Sequence, residues 1–167
     1  MVRLNLSSQI VFNKVPQDLY QFNNILDRSQ ITRMERIPTD VFASISEGAS
    51  SIADGIEKII RAKEQEGNPC VMALGTGTSL IPVYEELIRR YQAGLSFRNV
   101  VVFNGYEYYP LTPESSCTAI TQLKKVFLDH IDIDKQNIFS LDGKISQESV
   151  SDYCRQYEDA IRTTGCI

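Results

Sequence analysis

The sequence is poor in the features that usually mark a catalytic or metal site. It holds one histidine, His130, so neither a histidine metal set nor an evident Ser-His or Cys-His pair is present. Its four cysteines, Cys70, Cys117, Cys154 and Cys166, are separated by 46, 36 and 11 residues. Those spacings contain no C-x-x-C, which excludes the common zinc and dithiol motifs, and the four read as reduced thiols of a cytoplasmic protein, some of them core residues. No apolar run approaches the ~20 residues of a membrane-spanning helix, and the N-terminus lacks the basic-then-apolar layout of a signal peptide. A membrane partner is therefore not expected. Basic charge is also thin: 17 Lys and Arg stand against 21 Asp and Glu, for a net charge of −4. The Arg89-Arg90 pair is the densest basic spot, far short of the stripe that nucleic acid demands. A small anion is not excluded, because a few backbone N–H groups suffice to hold one.

What is present suits an ordinary globular domain. The 167 residues are 43% hydrophobic and 23% charged, long enough to bury roughly two-thirds of the unfolded chain's surface. Residues 1–35 look different from the rest, with possible short strands at 3–6 and 10–12 and a helix opening at Pro16; they are expected to form an N-terminal extension. From Ser44, the residues Ile45, Ala49, Ile52, Ile56, Ile59 and Ile60 recur at steps of three and four, one face of a helix that Gly67 stops. Residues 70–74 form a short apolar run bounded by breakers, which predicts a strand buried on both faces. Helical spacing returns at Leu80, Val83, Tyr84, Leu87, Ile88 and Tyr91, and Gly94 ends it. A second buried strand is predicted at 100–103, a third helix around Ile120 to Phe127, a short strand at 137–141, and a last helix from Val150 that Gly165 ends. This alternation predicts an α/β fold: an open parallel sheet with helices on both faces.

Sites in such folds lie beyond the carboxyl ends of the strands, and two loops sit there. The first reads Gly75, Thr76, Gly77, Thr78, Ser79. Glycines let a ligand approach the backbone, the first turn of the following helix offers free N–H groups, and the hydroxyls add donors. The spacing fits neither a Walker loop nor the G-x-G-x-x-G dinucleotide fingerprint, so it reads either as an anion cradle or as a helix start capped by Thr or Ser. The second loop reads FNGYEYYPL from Phe103. Here Asn104, Tyr106, Glu107 and Tyr108 crowd one junction, and Glu107 is either a general base or hydroxyl-holding group, or a solvated loop acid. His130, at the end of the third helix, is expected to interact with that helix's C-terminus.

Two ordered segments, CVMALGTGTSLIPVYEELI from Cys70 and NVVVFNGYEYYPL from Asn99, followed by FLDHIDI from Phe127 and CRQYEDAI from Cys154, resemble glucosamine-6-phosphate deaminases. The resemblance covers roughly residues 36–167 and implies the N-terminal part of a Rossmann-like sugar-phosphate isomerase or deaminase domain. It implies a phosphate site at Gly75, Thr76, Gly77, Thr78 and Ser79, pocket roles for Asn104 and Tyr108, and a reaction that uses neither a cofactor nor a metal. In the family's D-E-Y segment the Asp moves the proton between C2 and C1 of the opened sugar. Tyr106 stands at that position here, followed by matching Glu107 and Tyr108. A phenol, which ordinarily ionises near pH 10, accepts protons poorly at neutral pH. The family also continues for about a hundred residues, with a ring-opening histidine and further phosphate ligands. The chain is accordingly expected to be a piece of a longer protein, to bind a small-molecule sugar phosphate, to associate with copies of itself, and not to catalyse the family's reaction. A 6-phosphogluconolactonase-like hydrolase and a non-catalytic sugar-phosphate sensor are the competing readings.

Overall fold

The computed structural model describes residues 39–111 and 115–165, so the strands and helix expected within 1–35, and Cys166, lie outside the described residues. The chain divides into two units, Met1–Val41 and Phe42–Ile167, and the second carries every element named below. Helix α1 (Ile45–Gln65) starts at Ser44, whose hydroxyl accepts from the Glu47 N–H at 3.2 Å while the Glu47 carboxylate accepts from the Ala43 N–H at 3.1 Å. This reciprocal arrangement satisfies N–H groups that a helix start leaves open. The helix ends in a left-handed Gly67 with φ +69°, a conformation glycine adopts without a Cβ penalty.

Three parallel strands follow: β1 (Cys70–Leu74), β2 (Val100–Asn104) and β3 (Ile138–Phe139), in the spatial order β1-β2-β3. Helix α2 (Ile81–Gln92) connects β1 to β2, α3 (Ala119–Val126) lies between β2 and β3, and α4 (Val150–Thr164) follows β3. On one face of the sheet, Cys70, Leu74, Val100 and Val102 pack with Ile60 of α1, Leu87 of α2 and Leu123 of α3. On the other, Phe103 stacks on Phe139 at 4.7 Å and meets Tyr157 of α4 edge-on at 5.6 Å. Helices thus cover both faces, as the alternation predicted. None of the described helices is long and apolar enough to cross a membrane.

Three expectations need correction. β2 is buried at every position, but β1 is not: Ala73 is exposed and Val71 and Met72 are half-buried. Among the described residues β1 is an edge strand, and a Cβ on Gly165 would lie 3.5 Å from Val71 Cγ2. The apolar stripe of α1 also divides. Ala49, Ala53 and Ile60 are buried, whereas Ile45, Ile52 and Ile59 are 77, 52 and 56% exposed. Spaced by sevens, those three share one strip of the helix, which lies beside the buried strip and not on it. The strand expected at 137–141 shortens to the two residues of β3.

Of the Arg89-Arg90 pair, Arg89 pairs with Glu86 on its own helix at 2.7 Å, and Arg90 is committed to helix packing. The Arg90 guanidinium reaches from α2 to Asp54 at 2.7 Å and Glu57 at 2.9 Å on α1, and also holds Glu86 at 3.0 Å. Hydrogen bonds from Arg89 first, then Arg90, hold the Glu86 carboxyl down at about 2.

Candidate functional site

β1 and β2 end side by side, with Leu74 in register with Asn104 and the Gly105 N–H donating to the Leu74 carbonyl at 2.9 Å. The two loops singled out from the sequence therefore leave the sheet as neighbours. In the first, Gly77 is extended and residues Thr78–Leu80 make a 3₁₀ turn into α2. No Thr or Ser side chain caps that turn, and among the described residues none of the N–H groups of residues 75–79 donates to a protein acceptor. Neither Gly75 nor Gly77 has a positive φ. A Cβ on Gly75 would meet Tyr106 Cε1 at 3.7 Å, and one on Gly77 would meet Ser79 Oγ at 3.6 Å, both ordinary contacts. The fold by itself does not demand glycine at either position.

The loop is propped from below. Tyr84 of α2, buried and stacked on Phe127 at 4.8 Å, donates its hydroxyl to the Gly75 carbonyl at 2.6 Å. Tyr157 of α4 does the same for the second loop, its hydroxyl lying 3.1 Å from the carbonyl oxygens of both Asn104 and Phe139. Burial pushes both phenols up to about 12. A raised folded-state value contributes stability that is complete below the unfolded value near 10 and lost as pH climbs through about 12. Urea midpoints measured across that window are expected to fall, and a Tyr84→Phe, Tyr157→Phe chain is expected to show a flatter decline. An equal decline in both would assign the alkaline loss to other groups.

In the second loop the carboxylate of Glu107 is fully engaged. One oxygen accepts from the N–H groups of Tyr108 at 2.9 Å and Ala119 at 2.8 Å, and the other from Ile120 at 3.2 Å. Thr118 adds its hydroxyl as acceptor for Thr121 N–H at 3.3 Å. Glu107 thus completes the N-terminus of α3, where a negative charge also meets the positive end of the helix dipole. It is neither a solvated loop acid nor a carboxylate standing free for proton transfer. Replacing it with Ala strands buried N–H groups at Ala119 and Ile120 and is expected to cost about 1–3 kcal/mol; Glu107→Gln, which keeps an acceptor oxygen, should cost less. Chemical denaturation of the two variants checks this, and equal losses would show that the acceptor does not matter.

Asn104 is buried to 1% exposure, with its Nδ2 a distant 3.5 Å from Glu107 and its Oδ1 lacking a partner among the described residues. Tyr106 bridges the loops: its hydroxyl pairs with Thr76 Oγ1 at 2.5 Å, and its ring meets Tyr108 edge-on at 5.8 Å. His130 accepts its expected place, its Nε2 lying 3.0 Å from the Lys125 carbonyl in the last turn of α3.

No family model matches the chain. It is, however, 48% identical over 167 residues to a glucosamine-6-phosphate deaminase-like protein of Bacteroides thetaiotaomicron, covering 99% of this chain and 25% of that one. It is 38% identical over 135 residues to the glucosamine-6-phosphate deaminase of Actinobacillus pleuropneumoniae serotype 5b, covering 80% of this chain and 49% of the enzyme. Among solved structures, a monomeric glucosamine-6-phosphate deaminase superposes with a TM-score of 0.65 at 26% identity, over 72% of this chain and 48% of the other. Over these stretches the chain is similar to glucosamine-6-phosphate deaminases. It spans a quarter of the first relative and about half of the second. The 6-phosphogluconolactonase of Trypanosoma brucei superposes with a TM-score of 0.60 at 19% identity, a likeness of fold.

Of the residues singled out from the sequence, the structure brings Gly75, Thr76 and Tyr106 together and sets Tyr108 against Tyr106. Thr78 and Ser79 lie in the turn that follows, and Asn104 and Glu107 lie together at the end of β2. Two residues in the family-like segments went unassigned: Tyr84 and Tyr157. The only signal for either was an aromatic residue on the inward face of a helix, which says nothing of where its hydroxyl goes.

Proposed function

We propose that this chain is a sugar-phosphate-binding domain of a glucosamine-6-phosphate deaminase-like protein of amino-sugar metabolism, with the ligand's phosphate held at Gly75, Thr76, Gly77, Thr78 and Ser79, and without deaminase turnover of its own. The observation that carries the reading is a row of backbone N–H groups without protein acceptors, on a loop whose glycines the fold itself does not require. Donors aimed outward at a helix start favour an anion, and a missing Cβ leaves room for it. The names of the relatives supply the class of anion, a phosphorylated amino sugar. Asn104, buried with an unpartnered acceptor, and the exposed Tyr108 are the further pocket residues of this reading, at the neighbouring loop. Glu107 acts as a positioning residue, through α3. The hydrolase reading has only the fold in its favour.

Inorganic phosphate at about a hundred times its dissociation constant should add about 2.7 kcal/mol of stability, which raises the melting temperature by roughly 5–10 °C for a domain of this size. Gly77→Ala is expected to melt where the parent does without phosphate and to lose the shift with it, since the methyl group enters the cradle. A phosphate shift that survives Gly77→Ala would place the anion elsewhere.

A further inference from the structure

Helix α1 carries more apolar surface than the core of this chain covers. Ala49, Ala53 and Ile60 face that core, and Ile45, Ile52 and Ile59 form a largely exposed strip beside them. Three residues after each of these isoleucines comes a small residue: Gly48, Gly55 and Ala62. At about 100° per residue the apolar arc spans roughly 180° of the helix, where packing on one core takes about 100°. Glycine at 55 has no use within a single copy. Its φ is not positive, a Cβ there would meet nothing within 4 Å, and glycine inside a helix is less stable than alanine. What its missing side chain permits is the close approach of another backbone. Lys58, on the rim of the same face, is exposed and has no ion-pair partner among the described residues.

We propose that this face of α1 is an interface between two copies of the chain, packed with their α1 helices antiparallel. Pattern and charge both select that occupant. Ile45, Gly48, Ile52, Gly55 and Ile59 alternate large and small at steps of three and four, the spacing of a seam between two helices. Laid antiparallel, Ile45 and Ile52 of one copy stand opposite Ala62 and Gly55 of the other, so that large side chains meet small ones. Ile59 meets Gly48 together with the Phe42 ring, which lies 3.3 Å from where a Gly48 Cβ would stand. The same direction brings Lys58 of one copy toward Glu47 of the other, whereas a parallel pair sets Lys58 beside Lys58. Such a contact is its own complement about a twofold axis and closes at two copies. It does not depend on the phosphate reading of the 75–79 loop.

Sedimentation equilibrium of the whole 167-residue chain tests this. One helix pair makes a contact below standard size, so dimers are expected with a dissociation constant of about 10–100 μM. Well below that range the chain is a single copy, and its unfolding reports on that copy alone. Ile52→Asp places a carboxylate in the middle of the seam and is expected to weaken association by about tenfold or more. Gly55→Gln puts a side chain where the second backbone must come and is expected to weaken association by about as much. The dilute Gly55→Gln chain should nevertheless melt no lower than the parent, because glutamine favours the helix more than glycine does. A variant that had merely misfolded would melt lower. A parent that remains a single copy above the expected range, a dimer that either substitution leaves intact, or growth beyond two copies would overturn the proposal.

Discussion

The chain, mixed with glucosamine 6-phosphate in a coupled assay, is expected to release no ammonia above the enzyme-free blank. Between Asn104 and Leu111 the only carboxylate is Glu107, and both of its oxygens are taken by backbone N–H groups of the loop and of α3. Freeing it for proton transfer would leave the start of that helix open. Tyr106, beside it, pairs with Thr76 and brings no carboxylate to the site. Loss of a positioned general base ordinarily lowers a rate about 10²–10⁴-fold. Ammonia release well above the blank, abolished by Glu107→Gln, would show that Glu107 leaves α3 and does the chemistry after all.

Phe127→Ala is expected to destabilise the chain by about 3–5 kcal/mol, a large part of the stability typical of a domain. Phe127 is 1% exposed and ends α3 with its ring stacked on Tyr84 at 4.8 Å and edge-on to Phe97 at 5.7 Å. Truncation removes a large buried ring and both aromatic contacts at once. Because Tyr84 props the Gly75 carbonyl, the same substitution should also weaken phosphate binding in whatever fraction stays folded. Ile59→Ala is the fitting control: Ile59 is 56% exposed, and its loss should stay within about 0.5 kcal/mol. Urea midpoints at constant m-value separate the two outcomes. Equal losses for Phe127 and Ile59 would mean that the core does not run through this aromatic cluster.

The sequence revealed more of the fold than of the site, for a physical reason. Helix ends are local events. Ser44 and Glu47, three residues apart, and glycine at 67 and 165 mark them within a few residues. A continuous run of Val and Phe likewise sufficed for β2, which is buried at every position. The similar run at β1 misled, because burial of a second face depends on what packs there, and no residue within β1 encodes that. The site depends on pairings across the chain. Glu107 meets Ala119 and Ile120, twelve and thirteen residues on, and Tyr106 meets Thr76, thirty residues back. Its place at a strand end left Glu107 open between a general base and a solvated loop acid, and its partners at the start of α3 are what the sequence could not show.

Tyr84 and Tyr157 approach the strand ends from opposite layers of the molecule, one beside the core of α1, α2 and α3, the other on α4 against Phe103. Each holds a carbonyl at the point where a loop departs. On the phosphate reading proposed above, exchanges at positions 76 and 78 would change only the loop's own donors, whereas exchanges at 84 or 157 would shift the points from which both loops set out.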